Sequence, residues 1–388
     1  GKALGELEKA GCIEVCPETH SITSTSMGIL ASYYYLDYRT VQVMQDQLSQ
    51  LTTFEGMLDV LCASAEYSTM PVRHNEDVLN AQLMPLLHYK LDSKLAGDPH
   101  TKANILFQCR WGRVPLPIAD YVTDTLSALS QAVRVLHSLV DMCADAGWLQ
   151  TTLNAALLTQ SMVQGVFPWE HPLAVLPGAT SRVIELLHAN RIDTLPQLAA
   201  TPTAALLALL SDQMGVSAAK RLAYTASCLP RVRVVVDPAE DWAKTEHDQR
   251  KDRRATRGRN DIDNSDVELS CTAGGVCVVR LGLVRENGWS AQPLHTLVHQ
   301  TAARVLGPAD VKVAKEGWWA IVGSEEADEV FALKKVSIGV TASVIELEVA
   351  APMEPGVYVW DVMLISDCYL GFDQQYRVTV NVEEEEMP

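Results

Sequence analysis

Residue types able to do chemistry are present in this chain, but few stand at the spacings that chemistry needs. Cys12, Cys16 and His20 recur every four residues. That donor set suits zinc, yet no fourth donor follows at the spacing of a closed tetrahedral site, so no metal is expected there. The 388 residues hold no GxxxxGK[ST] phosphate loop and no acidic DExH or DExD box. Without a phosphate cradle and carboxylates for magnesium, the chain has no usual route to ATP hydrolysis. GxSxG and HExxH are also missing. The scattered Ser, His and Asp imply no triad, which is defined in space and not by spacing. The expectation is a chain without catalytic residues, metal or cofactor of its own.

What remains is binding chemistry. Arg110, Trp111 and Arg113 form a small basic and aromatic group able to stack on RNA, with Trp111 reading more readily as packing. Arg134 shares one face of a long helical stretch with Ser127, Gln131 and Ser138. There it either meets a phosphate or base, or pairs with a carboxylate on a neighbouring element. Arg73 and Glu76, three residues apart, read as a structural pair that locks its surroundings.

The elements that must position these residues change character along the chain: α first, then β. Residues 1–30 read as a helix stopped by Gly11 and a short hairpin around Pro17, the end of a winged-helix module. Residues 31–166 read as a joint helix and a helical bundle. Its longest helix, from about Ile118 to Ala146, carries a seam of Val122, Leu126, Leu129, Val133, Leu136, Val140 and Cys143. Residues 167–230 read as a helix-hairpin-helix region. LPGATSRVIELL resembles its Pro-Gly turn but has Ala179 and Thr180 where a second glycine would let the backbone approach phosphate, so packing is its expected role. Residues 231–388 read as about seven strands of an immunoglobulin- or fibronectin-like β-sandwich. A charged insert at 238–266, including Arg250–Asn260, and an acidic tail at Glu383–Glu386 read as solvated, disordered segments.

Gly28–Thr40, GILASYYYLDYRT, looks helical yet places Tyr33, Tyr34 and Tyr35 in a row. Adjacent helical positions point about 100° apart, so three aromatics touch several surroundings at once. Lying between the wing and the bundle, they read as a structural joint whose loss at Tyr34 or Tyr35 would loosen the chain.

The net charge of −17 makes the chain a poor general phosphate binder. Nine cysteines without a CxxC suit a reducing compartment, cytosol or nucleus. No apolar run approaches the roughly eighteen residues of a membrane span, so no membrane partner is expected. No signal peptide is visible, and the helix-like opening reads as a cut inside a larger protein.

The order of elements resembles the Sec-sixty-three homology unit that follows the motor domains of Ski-two-like helicases. GILASYYYLDYRT, EYSTMPVRHNED, DPHTKANILFQC, AVRVLHSLVDMCADAGWL, EGWWAIVG and SDCYLGFDQQYRVTVNV carry the likeness. It covers nearly the whole chain and is nearest to the C-terminal cassette of the tandem-cassette spliceosomal RNA helicases. The resemblance implies a non-catalytic scaffold and regulator in the nucleus, with ATP and magnesium confined to motor domains elsewhere in the parent. It implies those motor domains, spliceosomal proteins and single-stranded RNA as partners. It also implies that Ile118–Ala146 is the ratchet helix lining an RNA path, with Arg134 at a contact position. The alternatives are an RNA-guiding module, or the equivalent unit of a DNA-repair or meiotic helicase.

Overall fold

The computed structural model describes residues 2–176, 178–246, 267–287, 316–339 and 341–384. The chain is a multidomain protein of mixed helices and sheets. It divides into two compact units, one running to Glu170 and one made of the described residues from His171 onward.

The first unit opens with α1 (Lys2–Lys9) and the antiparallel pair β1 (Ile13–Val15) and β2 (Ile22–Ser24). The tyrosine segment is not one helix. Helix α2 (Ser26–Tyr33), capped by Thr25, ends before Tyr34, and α3 (Tyr38–Gln47) begins at the Asp37 cap. Tyr35 lies between them at φ +52°, a left-handed conformation that breaks the helix. Thr53 caps α4 (Phe54–Ala63), and α5 (Glu76–Leu83) follows. Asp98 caps α6 (Pro99–Trp111) by accepting from the Thr101 N–H at 2.8 Å, with proline at the first helical position where no donor is lost. Every residue of α6 from Lys102 to Trp111 is buried, so this helix is enclosed on all sides.

Helices α7 (Ala119–Asp145) and α8 (Leu149–Gln164) complete the bundle. On α7 the expected seam is buried at Leu129, Leu136, Val140 and Cys143, but Val122, Leu126 and Val133 are only half-buried. A second stripe through Tyr121, Thr125, Ala128, Ala132, Val135, Leu139 and Met142 is buried as well. The helix therefore packs on a broad face, not a narrow seam. Ser138 falls inside that face, which removes it from the polar side.

The second unit begins with α9 (Ser181–Ala189), α10 (Leu195–Ala200), α11 (Thr203–Met214) and α12 (Val216–Cys228). The chain turns ahead of α9, with Gly178 at φ +74° and the Ala179 N–H donating to Leu176 O at 3.2 Å, and a second tight turn lies between α9 and α10. It passes through Arg191 at φ +61°, while Thr180 serves as the cap of α9.

Eight strands follow among the described residues: β3 (Val232–Val236), β4 (Val267–Thr272), β5 (Val276–Arg285), β6 (Trp318–Ser324), β7 (Glu329–Val336), β8 (Ser343–Ala350), β9 (Gly356–Ser366) and β10 (Gln374–Glu383). They form a five-stranded sheet ordered β4-β10-β9-β6-β7 and a three-stranded sheet ordered β3-β5-β8. Strand β4 pairs parallel to β10, and the remaining pairings are antiparallel. The eighth strand is β4, short and adjacent to the charged run.

The insert expected at 238–266 is ordered where it begins. Trp242 is buried with Val235, Val284 and Ala342, and its ring occupies the space a Cβ on Gly282 would need, 2.8 Å away. Glu246 is buried and paired with Arg233. The run Arg250–Asn260 lies outside the described residues. In the acidic tail, Glu383 closes β10, and Glu385 and Glu386 lie outside the described residues.

Candidate functional site

Arg134 projects from α7 onto the turn between α2 and α3. Its Nη1 donates to the carbonyl oxygens of Tyr34, at 2.7 Å, and Tyr35. Its Nη2 donates to Gln131 Oε1 at 2.7 Å and stands 3.8 Å from the Glu66 carboxylate. Glu66 accepts from the Asp37 N–H at 3.2 Å and from the Thr40 hydroxyl. Thr40 Oγ1 in turn accepts from the Ala65 N–H at 2.9 Å. The Arg134 guanidinium thus binds the tyrosine turn, the Glu66 carboxylate the start of α3, and the Thr40 hydroxyl the segment after α4.

The three tyrosines divide their roles. Tyr34 is buried and its hydroxyl donates to Asp141 on α7. Burial, and then the Asp141 carboxylate, push its phenol far above the usual range. Tyr33 and Tyr35 are 72% and 86% exposed. The expected consequence at Tyr35 is therefore corrected. Tyr34→Ala will cost about 2–4 kcal/mol, by opening a cavity and removing the hydrogen bond to Asp141. Tyr35→Ala will stay within about 0.5 kcal/mol, because an exposed ring is lost and the backbone bonds remain. Thermal melts of the two variants check this, and equal losses would refute it.

The other sequence-nominated residues scatter. Ser127 is exposed on α7. Ser138 is buried and donates to the Val135 carbonyl at 2.6 Å. Arg110 is buried and donates to the Met162 and Val163 carbonyls at the end of α8, the latter at 3.0 Å. Burial pushes its guanidinium down to about 10. No RNA contact is open to Arg110 in this arrangement, since the charge is enclosed and aimed at helix carbonyls. Trp111 is fully buried, its indole N–H donating to Ser161 O at 3.0 Å. Arg113 is exposed and pairs with Glu170 at 2.8 Å.

Sequence reasoning missed a buried charge cluster. The Arg73–Glu76 pair forms at 2.9 Å, but its centre is Lys102 on α6, which is fully buried. Lys102 Nζ donates to Glu76 at 2.7 Å, Asp124 at 2.6 Å and Pro71 O at 2.7 Å, and it lies 4.7 Å from the Tyr121 ring centre. Arg73 reaches Asp124 with both terminal nitrogens, at 2.7 and 3.1 Å. Burial pushes the Glu76 and Asp124 carboxyls up, but their bonds to Lys102 and Arg73 outweigh it and hold both below the usual carboxylate range. The one sequence signal was Arg73 and Glu76. Nothing in their spacing pointed to Lys102 or Asp124.

The helical hairpin of the second unit has its turn amides occupied. The N–H groups of Asp193 and Thr194 both donate to Gln197 Oε1, at 2.8 and 3.2 Å, while the Gln197 N–H donates to Thr194 Oγ1. A phosphate would have to displace this capping box to reach the same donors. Among the described residues, no group of three His, Cys, Asp or Glu side chains is placed to hold a metal ion. Among them, also, no helix is long and apolar enough to cross a membrane.

Residues 24–379 match the family model described as the Sec63 Brl domain. The chain belongs to the Sec63 Brl domain family. The Sec-sixty-three likeness read from the joint, bundle and strand motifs is thereby established. Three relatives of this Sec63 Brl chain illustrate its setting. It is 32% identical over 400 residues to Activating signal cointegrator 1 complex subunit 3 of Rattus norvegicus, covering 98% of the chain and 18% of that protein. It is 30% identical over 374 residues to the DExH-box ATP-dependent RNA helicase DExH14 of Arabidopsis thaliana, covering 96% and 15%. It is 27% identical over 388 residues to the U5 small nuclear ribonucleoprotein 200 kDa helicase of Homo sapiens, covering 99% and 16%. The Sec63 Brl chain thus spans less than a fifth of each relative, and its identity is lower to the U5 protein than to the cointegrator subunit.

Proposed function

We propose that this Sec63 Brl chain is the non-catalytic accessory unit of an ATP-dependent RNA helicase and works as a scaffold through protein contacts. The observation that carries this reading is the engagement of its nominated RNA contacts within the fold. Arg110 holds the end of α8, Arg134 holds the tyrosine turn, and Arg113 pairs with Glu170. The net charge of −17 adds no general attraction for phosphate. ATP and magnesium belong, on this reading, to the parent's motor domains. Those motors and nuclear proteins are the partners. The opening helix and hairpin are the end of a winged helix, and the eight strands an immunoglobulin-like sandwich.

Fluorescence anisotropy with single-stranded RNA across a salt series tests the scaffold reading. Little binding is expected even at low salt, with no change on Arg134→Ala. Salt-dependent affinity that falls on Arg134→Ala would replace it with the RNA-guiding module. Splicing is the proposed process, on the likeness to the U5 helicase, and the setting of the cointegrator subunit, to which the identity is higher, is the alternative. Affinity capture from nuclear extract separates them: spliceosomal proteins on the chain support the first, and cointegrator-complex proteins support the second.

A further inference from the structure

Aromatic rings gather at one place in the first unit. Trp111, the last residue of α6, is fully buried, and Phe167, just past α8, is buried beside it with ring centres 5.3 Å apart. Around them stand Phe54 at the start of α4, His88 and Tyr89 between α5 and α6, and Trp169. Trp169 stacks on Phe167, with centres 4.6 Å apart and planes 19° from parallel, and meets the His88 ring at 4.5 Å. His88 and Phe167 are themselves 5.4 Å apart. On opposite faces of the indole they would be separated by the sum of those two distances, so both lie to one side and neither covers its second face. Trp169 is 52% exposed, and His88 is exposed beside it. Tyr89 and Phe54 lie edge-on to the same indole, at 6.1 and 6.4 Å.

The exposed rings are held in place from beneath. The Tyr89 N–H donates to Gln108 Oε1 at 2.8 Å, and Gln108 Nε2 donates back to the Tyr89 carbonyl at 3.2 Å and to Asn104 Oδ1 at 2.8 Å. Gln108 and Asn104 are buried on α6, so two buried amides fix the main chain that carries His88 and Tyr89. Carboxylates edge the rings. Glu55 follows Phe54, and Asp59 stands one turn further along α4. Both are exposed, and neither forms an ion pair among the described residues; Asp59 accepts from Asn104 at 3.3 Å. Burial, and then Glu55, push the Tyr89 phenol up. The nearby cations are already engaged. Lys90 donates to the Pro85 and Leu87 carbonyls at 3.2 and 2.7 Å, and Arg113 pairs with Glu170 at 2.8 Å.

We propose that this face is a docking site for an arginine side chain of a partner protein, stacked on Trp169 and drawn in by Glu55 and Asp59. Clustered exposed rings of this kind mark interaction sites. The unpaired carboxylates select a cation, and the flat, weakly hydrated guanidinium fits an open indole face better than an ammonium does. Rings fixed before binding lose little freedom when the partner arrives. Such docking rests on the scaffold reading, which the RNA titration tests by itself, so each can fail alone.

Isothermal titration calorimetry of the chain with an acetylated GRGRGRG peptide tests the site. Binding is expected, and tighter than for GKGKGKG. Trp169→Ala is expected to weaken it about tenfold or more, the scale of a truncated aromatic anchor, Trp169→Phe to retain part of the affinity, and Glu55→Gln to weaken it by a smaller factor. Glu55 is exposed, so its variant reads the site even if Trp169→Ala disturbs the fold, which a thermal melt reports. Equal binding of the two peptides, unchanged by Trp169→Ala, would overturn the site and leave only attraction to the net charge of −17. No binding of the arginine peptide would overturn it as well. So would tighter binding of a proline-rich peptide or of oligouridylate that Trp169→Ala abolishes, or a dimer in sedimentation that Trp169→Ala dissolves, since another occupant would then hold the face.

Discussion

Lys102→Met will lower the stability of the chain by about 3–5 kcal/mol, the range for removing one partner of a buried ion cluster. The loss comes less from the lysine than from what it leaves behind. Glu76 and Asp124 are 2% and 5% exposed and would retain only Arg73, which approaches from the partly exposed side. Urea titration is the measurement, with a lower midpoint and an unchanged slope expected. A compensated variant, Lys102→Met with Glu76→Gln and Asp124→Asn, should recover much of the loss because no uncompensated charge stays buried. A single Lys102→Met variant as stable as the wild type would show that the cluster is not a keystone.

The same cluster sets an acid dependence with a definite sign. In the folded chain Glu76 and Asp124 are held below the ordinary carboxylate range by Lys102 and Arg73, against the push of burial. Their contribution is therefore fully present above the unfolded values, near pH 4, and is lost as pH falls through the lower folded values. Without Lys102 the two carboxyls gain by protonating. The stability gap between wild type and Lys102→Met should narrow on acidification. A gap that widens toward low pH would contradict the assignment.

Arg110→Ala carries the second large effect, about 3–5 kcal/mol from two buried carbonyls left without donors and a cavity beside them. The guanidinium sits where α8 ends, at carbonyls that no further helical turn satisfies, and its positive charge suits the negative end of that helix. Gly165 at φ +71° makes room for it: a Cβ there would come within 2.7 Å of Arg110 Cζ. Gly165→Ala should accordingly weaken the same contact. Hydrogen exchange at the last turn of α8, with a thermal melt, is the check. Loss of RNA affinity without loss of stability would instead mark Arg110 as a contact residue.

The legible parts of this molecule are those where residue type and environment agree. Gly11 after α1, the Asp98-Pro99 start of α6 and the apolar residues of α7 and α8 declare themselves locally. The unread parts are those where the fold overrides type. Lys102 and Asp124 give no local signal, because charged residues are almost never fully buried unless paired, and the carboxylate partners of Lys102 lie 26 and 22 residues away in sequence. The glycine of LPGAT marks the turn ahead of α9, but no glycine marks the turn between α9 and α10. That one passes through Arg191, a residue that rarely takes a left-handed conformation. Ser138 reads as polar-faced from one seam alone, but a second buried stripe takes it in. Strand β4 was lost because VELSCT is short and its pairing partner, β10, lies over a hundred residues later.

The joint held by Arg134 recognises main chain. Its two strongest bonds go to the carbonyl oxygens of Tyr34 and Tyr35, atoms that every amino acid possesses. Such a latch measures length and not identity. Substitution at position 35 passes it unnoticed, whereas inserting or deleting one residue between Tyr33 and Asp37 would present the wrong carbonyls and move the Asp37 cap off α3. The tyrosine rings facing solvent are thereby released from any duty to the fold, while the count of residues between the two helices is not.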